Sequence, residues 1–181
     1  QMTEDEYRRL FETYPNVGEC VTLPTDGTSR LWSRMPSHPD FLNVRLGLGE
    51  VPLPSEIETQ KQKLTIIDDP LRQEPERLKE TYSTISNAPV LTSLRGESVV
   101  GILGREEAVQ FAQGLLMQIA ALHSYHDVRI VVFTDTSSAT QWSWARWLPH
   151  VFASEDRQMR MVVSTPASIH EVMSSLSDVL N

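Results

Sequence analysis

Three short apolar runs, each followed by a pattern typical of a helix, constrain the fold of this chain more than any other feature. The runs occupy residues 98–104 (SVVGILG), 128–135 (VRIVVFTD) and 160–165 (RMVVST). All three are predicted to be strands, and the second is a continuous apolar run, which is typical of a strand that is covered on both faces. Strands that alternate with helices are joined by right-handed crossovers into a mostly parallel sheet. The second half of the sequence is therefore predicted to be α/β, with helices flanking a mostly parallel sheet.

The segments that follow the first and third runs have helical periodicity. Residues 105–124 are predicted to form a helix with one apolar stripe, which consists of Ala108, Phe111, Ala112, Leu115, Leu116, Ile119 and Leu122. The last helix is predicted to start with Thr165 as its N-cap residue and Pro166 in its first turn.

A tryptophan-rich segment, residues 140–148 (TQWSWARWL), follows the second run and is also predicted to be helical. On an α-helix, Trp144, Trp147 and Leu148 share one face, and this face is predicted to pack in the core. Trp142 points elsewhere. Together with Arg146 it is a candidate for an interaction surface, because tryptophan and arginine are enriched at such surfaces.

The first half is predicted to be a mixed lobe that extends the sheet. A capping pair, Thr3 and Glu6, starts a helix at residues 3–14, and an irregular stretch follows to about residue 40. Alternating apolar residues predict a half-buried strand at 41–49. A short strand at 64–67, a helix at 75–86 and a strand at 89–94 complete this half. The predicted organisation is a helical stalk (1–16), a mixed lobe (17–87) and an α/β core (88–181) within one compact domain.

Composition excludes several classes of protein. The net charge of −8 argues against binding to nucleic acid, which needs clustered lysine and arginine. The sole cysteine, Cys20, excludes an internal disulfide and is predicted to be a buried or loop residue. No segment approaches the roughly 20 apolar residues of a membrane span. Because Gln1 precedes Met2, the chain is expected to be a piece of a longer protein.

The end of the first run resembles the start of a phosphate-binding loop but lacks its chemistry. Such a loop reads G-x-x-x-x-G-K-[ST], in which the lysine and the hydroxyl contact phosphate and Mg²⁺. Counted from Gly101, positions 106–108 are Glu, Glu and Ala instead of Gly, Lys and Ser or Thr. Counted to Gly104, the loop is too short, and Arg105 and Glu106 replace the lysine and the hydroxyl residue. A simple turn from strand to helix is therefore expected.

The charges support the same expectation. Like charges about 4 Å apart repel by about 4 kcal/mol at an effective dielectric constant of about 20, so two carboxylates here would repel a triphosphate. No cofactor is expected. The alternative is a weak Mg-ATP site in which Gly101, Gly104, Arg105 and Glu106 contact phosphate and Asp135 organises Mg²⁺ at the end of the second run. A metal site at His123 and His126 is a weaker alternative, because no Cys or Glu lies at ligand spacing.

Two stretches resemble the EssC/EccC family of type VII secretion ATPases. Residues 31–54 (LWSRMPSHPDFLNVRLGLGEVPLP) are similar to the LW-x-R-x-P…DFL-x-VR-x-G-x-G pattern that follows the membrane helices of that family. Residues 98–150 resemble its membrane-proximal domain, including the ending Trp-x-Trp-x-x-Trp-Leu-Pro-His. The VPLPSEIE continuation is closer to the Firmicute EssC branch.

The resemblance implies a membrane-anchored, homo-oligomeric parent of the FtsK/SpoIIIE superfamily that exports WXG100-type proteins across the bacterial cell membrane. This segment would lie on the cytoplasmic side, between the membrane helices and the first of three motor domains. It would have a degenerate P-loop or RecA-like fold and couple the following ATPase domains to other membrane components, and it could contact the WXG100 substrates. Two alternatives stay open: a weakly active ATPase domain of the same machine, and a binding adaptor unrelated to secretion.

Overall fold

The computed structural model describes residues 4–52, 84–97 and 99–180. These ranges contain four α-helices, four strands and two 3₁₀ helices: α1 (Glu4–Thr13), α2 (Val17–Asp26), β1 (Asn43–Pro52), β2 (Thr84–Ser93), α3 (Glu106–Leu122), β3 (Val132–Phe133), the 3₁₀ helices Ser143–Trp147 and Pro149–Val151, β4 (Val162–Val163) and α4 (Pro166–Leu180). The predicted strand at 64–67, most of the predicted helix at 75–86 and the capping pair of Thr3 and Glu6 lie outside the described side chains. Residues 84–86 begin β2, so the helix predicted there does not reach them.

The residues group into two compact units. The first contains Gln1–Pro15 and Val44–Thr92, and the second contains Asn16–Asn43 and Ser93–Asn181. The predicted segments 1–16, 17–87 and 88–181 follow chain order, whereas each unit combines two separate stretches of chain. Within the described ranges, the structure contains no helix with the length and hydropathy of a membrane span.

The first unit contains α1 and nearly all of the antiparallel pair formed by β1 and β2. Tyr7 donates a hydrogen bond from its hydroxyl to the carbonyl of Asn87 at 2.9 Å. Arg45 donates to the carbonyl of Tyr14 at 3.0 Å, and its guanidinium lies 5.2 Å from the centre of the Phe11 ring. These contacts hold α1 on the strand pair.

β1 confirms the predicted strand, but its apolar face is less covered than expected. Val44 is buried, whereas Leu46 and Leu48, on the same side of the strand, are exposed. The other side carries Gly49, where an added Cβ would lie 2.9 Å from a methyl group of Val90. That close approach requires glycine, because any side chain there would displace Val90.

In the second unit, α2 packs against α3 and was not predicted, because Pro24 lies inside it. Asn16 caps its start in a capping box with Glu19, and Gly27 ends it in the left-handed conformation (φ 61°). The buried residues between these helices confirm the predicted burial of Cys20: Cys20, Leu23, Ala121 and Leu122, with Leu31 and Met117 packed against them.

The α/β class is confirmed, but among the described strands only β3 and β4 pair in parallel, and one isolated parallel bridge joins Arg34 and His123. Val132 pairs with Val162 and Phe133 pairs with Val163, so the second and third predicted runs each contribute a strand of two residues. Residues 99–104 are not in a strand, which makes the prediction for 98–104 wrong over the described part. Val99 is 87% exposed and Leu103 is 98% exposed. A strand needs a partner as well as apolar residues, and no strand among the described residues pairs with this run.

Two further clusters of buried residues surround the β3–β4 pair. One consists of Ala120, Ile130, Val132 and Val151, with Leu116, Ile119, Trp142, Leu148 and Val162 packed against it. The other consists of Met161, Val163 and Val172, with side chains of α4 and neighbouring segments against it. α3 and α4 therefore both contribute to the core, as their periodicity predicts.

Candidate functional site

The residues predicted to contact phosphate lie in an exposed loop and in the first turn of α3. Gly101, Gly104, Arg105 and Glu106 are all exposed. Arg105 is the N-cap residue and makes no capping hydrogen bond with its side chain. An added Cβ at Gly104 would lie 2.9 Å from the Cβ of Ala108, so the loop turns tightly onto the helix. The close packing of the loop on Ala108 therefore explains why residue 104 is glycine, without a phosphate ligand.

The charge at this helix start is acidic. Glu106 and Glu107 occupy the first turn of α3. Carboxylates in this position interact favourably with the positive end of the helix dipole. They therefore take the place that a bound anion would occupy. The arrangement therefore stabilises α3 and disfavours a triphosphate.

Asp135 follows β3, and its carboxylate is engaged by two serines. One oxygen accepts from the hydroxyl of Ser137 and from the backbone N–H of Ser138 at 2.8 Å, and the other accepts from the hydroxyl of Ser138 at 3.1 Å. These hydrogen bonds, led by that from Ser137, lower the pKa of Asp135 to about 2. Among the described residues, no hydrogen bond or ion pair joins Asp135 to the start of α3. The carboxylate stabilises a turn in the structure.

The tryptophan-rich segment contains a 3₁₀ helix, Ser143–Trp147, in which the faces differ from those of the predicted α-helix. A 3₁₀ helix has three residues per turn, so residues three apart share a face. Trp142, Ala145 and Leu148 therefore lie together, and Trp142 and Leu148 pack against the cluster around Val151. The prediction that Trp147 packs in the core is wrong, because 83% of Trp147 is exposed. Trp142 is half-buried instead of exposed, whereas Arg146 lies at the surface.

A buried polar network, which the sequence patterns did not predict, is centred on Arg34. Only 3% of Arg34 is exposed. Its Nε lies 3.1 Å from a carboxylate oxygen of Asp40, and its Nη1 donates to the carbonyl of Asn43. A buried guanidinium is stable only where its charge and its donors are satisfied, so these contacts fix residues 34–43 relative to one another.

His123 connects this network to the end of α3. It is fully buried, its Nδ1 donates to the carbonyl of Ile119 at 3.0 Å and its Nε2 accepts from the backbone N–H of Leu42 at 2.9 Å. Both bonds require the neutral ring with hydrogen on Nδ1. Burial lowers the pKa of His123, which favours the same neutral form.

His150 is the second fully buried histidine. Its Nε2 donates to the carbonyl of His123 at 2.8 Å, whereas its Nδ1 has no hydrogen-bond partner among the described residues. Burial lowers the pKa of His150 as well. His126, which sequence spacing suggested as a metal ligand with His123, is exposed and lies 3.6 Å from Glu155. The two side chains of the suggested metal site therefore lie in different environments.

The segment around Trp32 satisfies the last carbonyls of α3. The backbone N–H groups of Trp32 and Arg34 donate to the carbonyls of Ala121 at 3.0 Å and Leu122 at 2.9 Å. The indole of Trp32 donates to the carbonyl of Ala120 at 3.1 Å. A helix end leaves four carbonyls without partners inside the helix, and three of them are satisfied here. The LWSR stretch (31–34) therefore binds the C-terminal end of α3 through these hydrogen bonds. The DFLN stretch (40–43) contacts the same end through the hydrogen bond from Leu42 to His123.

Comparisons with known proteins find the same family that residues 31–54 and 98–150 resemble. No family model matches the chain. The chain is 28% identical over 182 residues to the "ESX secretion system protein EccC" of Geobacillus thermodenitrificans, an alignment that covers 99% of this chain. It is 28% identical over 138 residues to the "Type VII secretion system protein EssC" of Staphylococcus aureus, which covers 76% of this chain. The chain is similar to the EccC and EssC secretion proteins.

This relationship confirms the predicted resemblance to the EssC/EccC family, and it concerns a small part of those proteins. The chain spans 12% of the EccC protein and 9% of the EssC protein. Because the EccC alignment covers 99% of the chain, it includes both the start of α3 and the buried network.

Proposed function

We propose that this chain is a non-catalytic coupling segment of a type VII secretion protein. It lies on the cytoplasmic side of the bacterial membrane, between the membrane helices and the motor domains of a homo-oligomeric parent that exports WXG100-type proteins. The names of the EccC and EssC relatives support the role in secretion. The acidic start of α3, where Glu106 and Glu107 stand in the first turn, carries the proposal that the segment does not hydrolyse ATP.

The second unit is proposed to be a degenerate nucleotide-hydrolase fold of the P-loop or RecA-like type in the FtsK/SpoIIIE superfamily. The chain order supports this proposal: the glycine-containing run at 99–104, then α3, β3, β4 and α4. The lysine and hydroxyl of a phosphate-binding loop are replaced, and Asp135 is held by Ser137 and Ser138.

A segment that couples other domains must be rigid, and the buried network supports rigidity in this one. The residues at 32–43 are bound to the end of α3 through Arg34, Asp40 and His123. In this role the segment contacts other type VII secretion membrane components and the following ATPase domains. WXG100-type substrates contact the segment as they are exported.

Titration calorimetry with Mg-ATP tests whether the segment binds nucleotide. We expect no saturable heat at millimolar nucleotide, because the acidic first turn of α3 repels phosphate. Saturable heat that disappears in both Arg105→Ala and Asp135→Ala would instead identify a weakly active Mg-ATP site.

Export from cells that contain the full-length parent tests the role in secretion. Arg105→Ala and Asp135→Ala are expected to leave export of WXG100-type proteins unchanged, whereas deletion of residues 16–181 is expected to stop it. Immunoblots of the parent in the membrane fraction control for abundance. Loss of export in either point variant at normal abundance contradicts the non-catalytic role. Normal export after the deletion contradicts the coupling role.

A further inference from the structure

An open cleft lies on the side of the tryptophan-rich 3₁₀ helix that faces away from the core. Its volume is about 570 Å³, and its lining consists of Ser143, Trp144, Arg146, Trp147 and Arg160. The 3₁₀ geometry places Trp144 and Trp147 on one stripe, which is separate from the buried stripe of Trp142 and Leu148. The cleft therefore combines two indole rings with two guanidinium groups at the surface.

The charge of the cleft is opposite to that of the chain. The net charge is −8, yet the ionisable groups that line the cleft are Arg146 and Arg160. Neither forms an ion pair with a described residue. The guanidinium of Arg160 lies 5.1 Å from the centre of the Phe152 ring, an interaction that holds the side chain in place while leaving its charge uncompensated. An acidic ligand would supply the missing charge.

The exposed tryptophan indicates a protein ligand. Small-molecule sites enclose most of the surface of their ligand, whereas Trp147 is 83% exposed beside an open cleft. Ser143 donates its hydroxyl to the carbonyl of Thr140 at 2.8 Å, so this donor is already used by the turn that precedes the helix. Tryptophan and arginine are the residue types that contribute most to binding at protein interfaces.

We propose that this cleft binds an acidic peptide segment of a partner protein. An apolar side chain of the peptide lies against the indoles of Trp144 and Trp147, and carboxylates on either side pair with Arg146 and Arg160. The site does not depend on the proposed role in secretion, since it rests on the lining residues and their charge.

Fluorescence anisotropy tests the site with a labelled peptide of glutamates around one central leucine. A matched peptide has glutamine in place of every glutamate. The full chain is expected to bind the glutamate peptide about tenfold more tightly than the glutamine peptide, and added salt is expected to weaken binding. Arg146→Gln and Arg160→Gln each weaken binding several-fold, and Trp147→Ala weakens it about tenfold.

Arg157→Gln is the matched control. Arg157 also lies over the Phe152 ring, at 5.6 Å, but it does not line the cleft, so this variant is expected to bind normally. Circular dichroism verifies that every variant is folded. The proposal is overturned if the glutamate peptide does not bind, or if Arg157→Gln weakens binding as much as Arg160→Gln. Displacement of the peptide by ATP but not by unlabelled peptide would assign the cleft to a nucleotide. Self-association that Trp147→Ala abolishes, without any effect on the peptide, would assign it to a second copy.

Discussion

Arg34 makes two directed contacts from an almost fully buried position, to Asp40 and to the carbonyl of Asn43. Arginine suits this position because its planar guanidinium donates in two directions at once, whereas a lysine ammonium is a single point charge. The same residue belongs to the stretch that resembles the secretion proteins. Its contacts within the chain give a physical reason for that residue type without any contact to a ligand.

We therefore expect Arg34→Lys to lower the free energy of unfolding by about 2–3 kcal/mol, because lysine cannot satisfy both acceptors and one of them stays buried without a donor. Urea denaturation followed by circular dichroism measures the change. Arg95→Lys is the control: Arg95 is exposed, donates to the carbonyl of Pro36 at 3.0 Å and lies over the Phe41 ring. A loss of less than about 0.5 kcal/mol is expected there. Equal losses in the two variants would contradict the importance of the buried contacts.

Secondary-structure elements with strong local signals could be predicted from the sequence. α1, α3 and α4 have apolar stripes at helical spacing, and β1 alternates. The sequence pattern does not predict α2 although its caps, Asn16 with Glu19 and Gly27, are visible in the sequence, because a proline such as Pro24 is typical of irregular segments. Pro24 lies near the end of α2 and removes one hydrogen bond of the helix, and the burial of Cys20 and Leu23 against α3 offsets that loss.

Elements that depend on tertiary partners could not be predicted. The runs at 98–104 and 128–135 have similar composition, yet only the second contributes a strand, because β4 lies beside it. At the candidate site, the sequence predicts the start of α3 and places Asp135 at the end of the second run. The contacts of His123 with Leu42 and of Arg34 with Asp40 join residues that no local pattern connects.

The 3₁₀ geometry of Ser143–Trp147 makes a prediction that distinguishes it from an α-helix. Trp142→Ala is expected to lower the free energy of unfolding by about 3 kcal/mol, because it leaves a cavity beside Val151 and Leu148. Trp147→Ala is expected to change it by less than about 0.5 kcal/mol, because that side chain is exposed. Thermal and urea denaturation of the two variants measure the difference. The opposite order would indicate the α-helical face that the sequence suggested.

At the scale of the whole molecule, the two buried histidines make stability depend on pH. The pKa values of His123 and His150 are lowered in the folded chain, mainly by burial, whereas an unfolded chain has ordinary values near 6.5. Below that pH the unfolded state binds more protons than the folded state, so acid favours unfolding. The contribution of the two neutral rings to the free energy of unfolding is fully present above a pH of about 6.5. It is lost as the pH falls toward the lowered pKa values of the folded chain.

We expect the free energy of unfolding to be level from about pH 8 to 7 and to decrease as the pH falls from about 6.5 to 5.5, a range in which histidine titrates and ordinary carboxylates stay ionised. Urea denaturation at each pH measures this profile. His150→Gln should reduce the slope, because glutamine can still donate to the carbonyl of His123 and does not titrate. His126→Gln, which removes an exposed imidazole, should leave the slope nearly unchanged. Stability that stays constant between pH 7 and 5.5, or that rises with acid, would mean that the two rings are not held neutral by the fold.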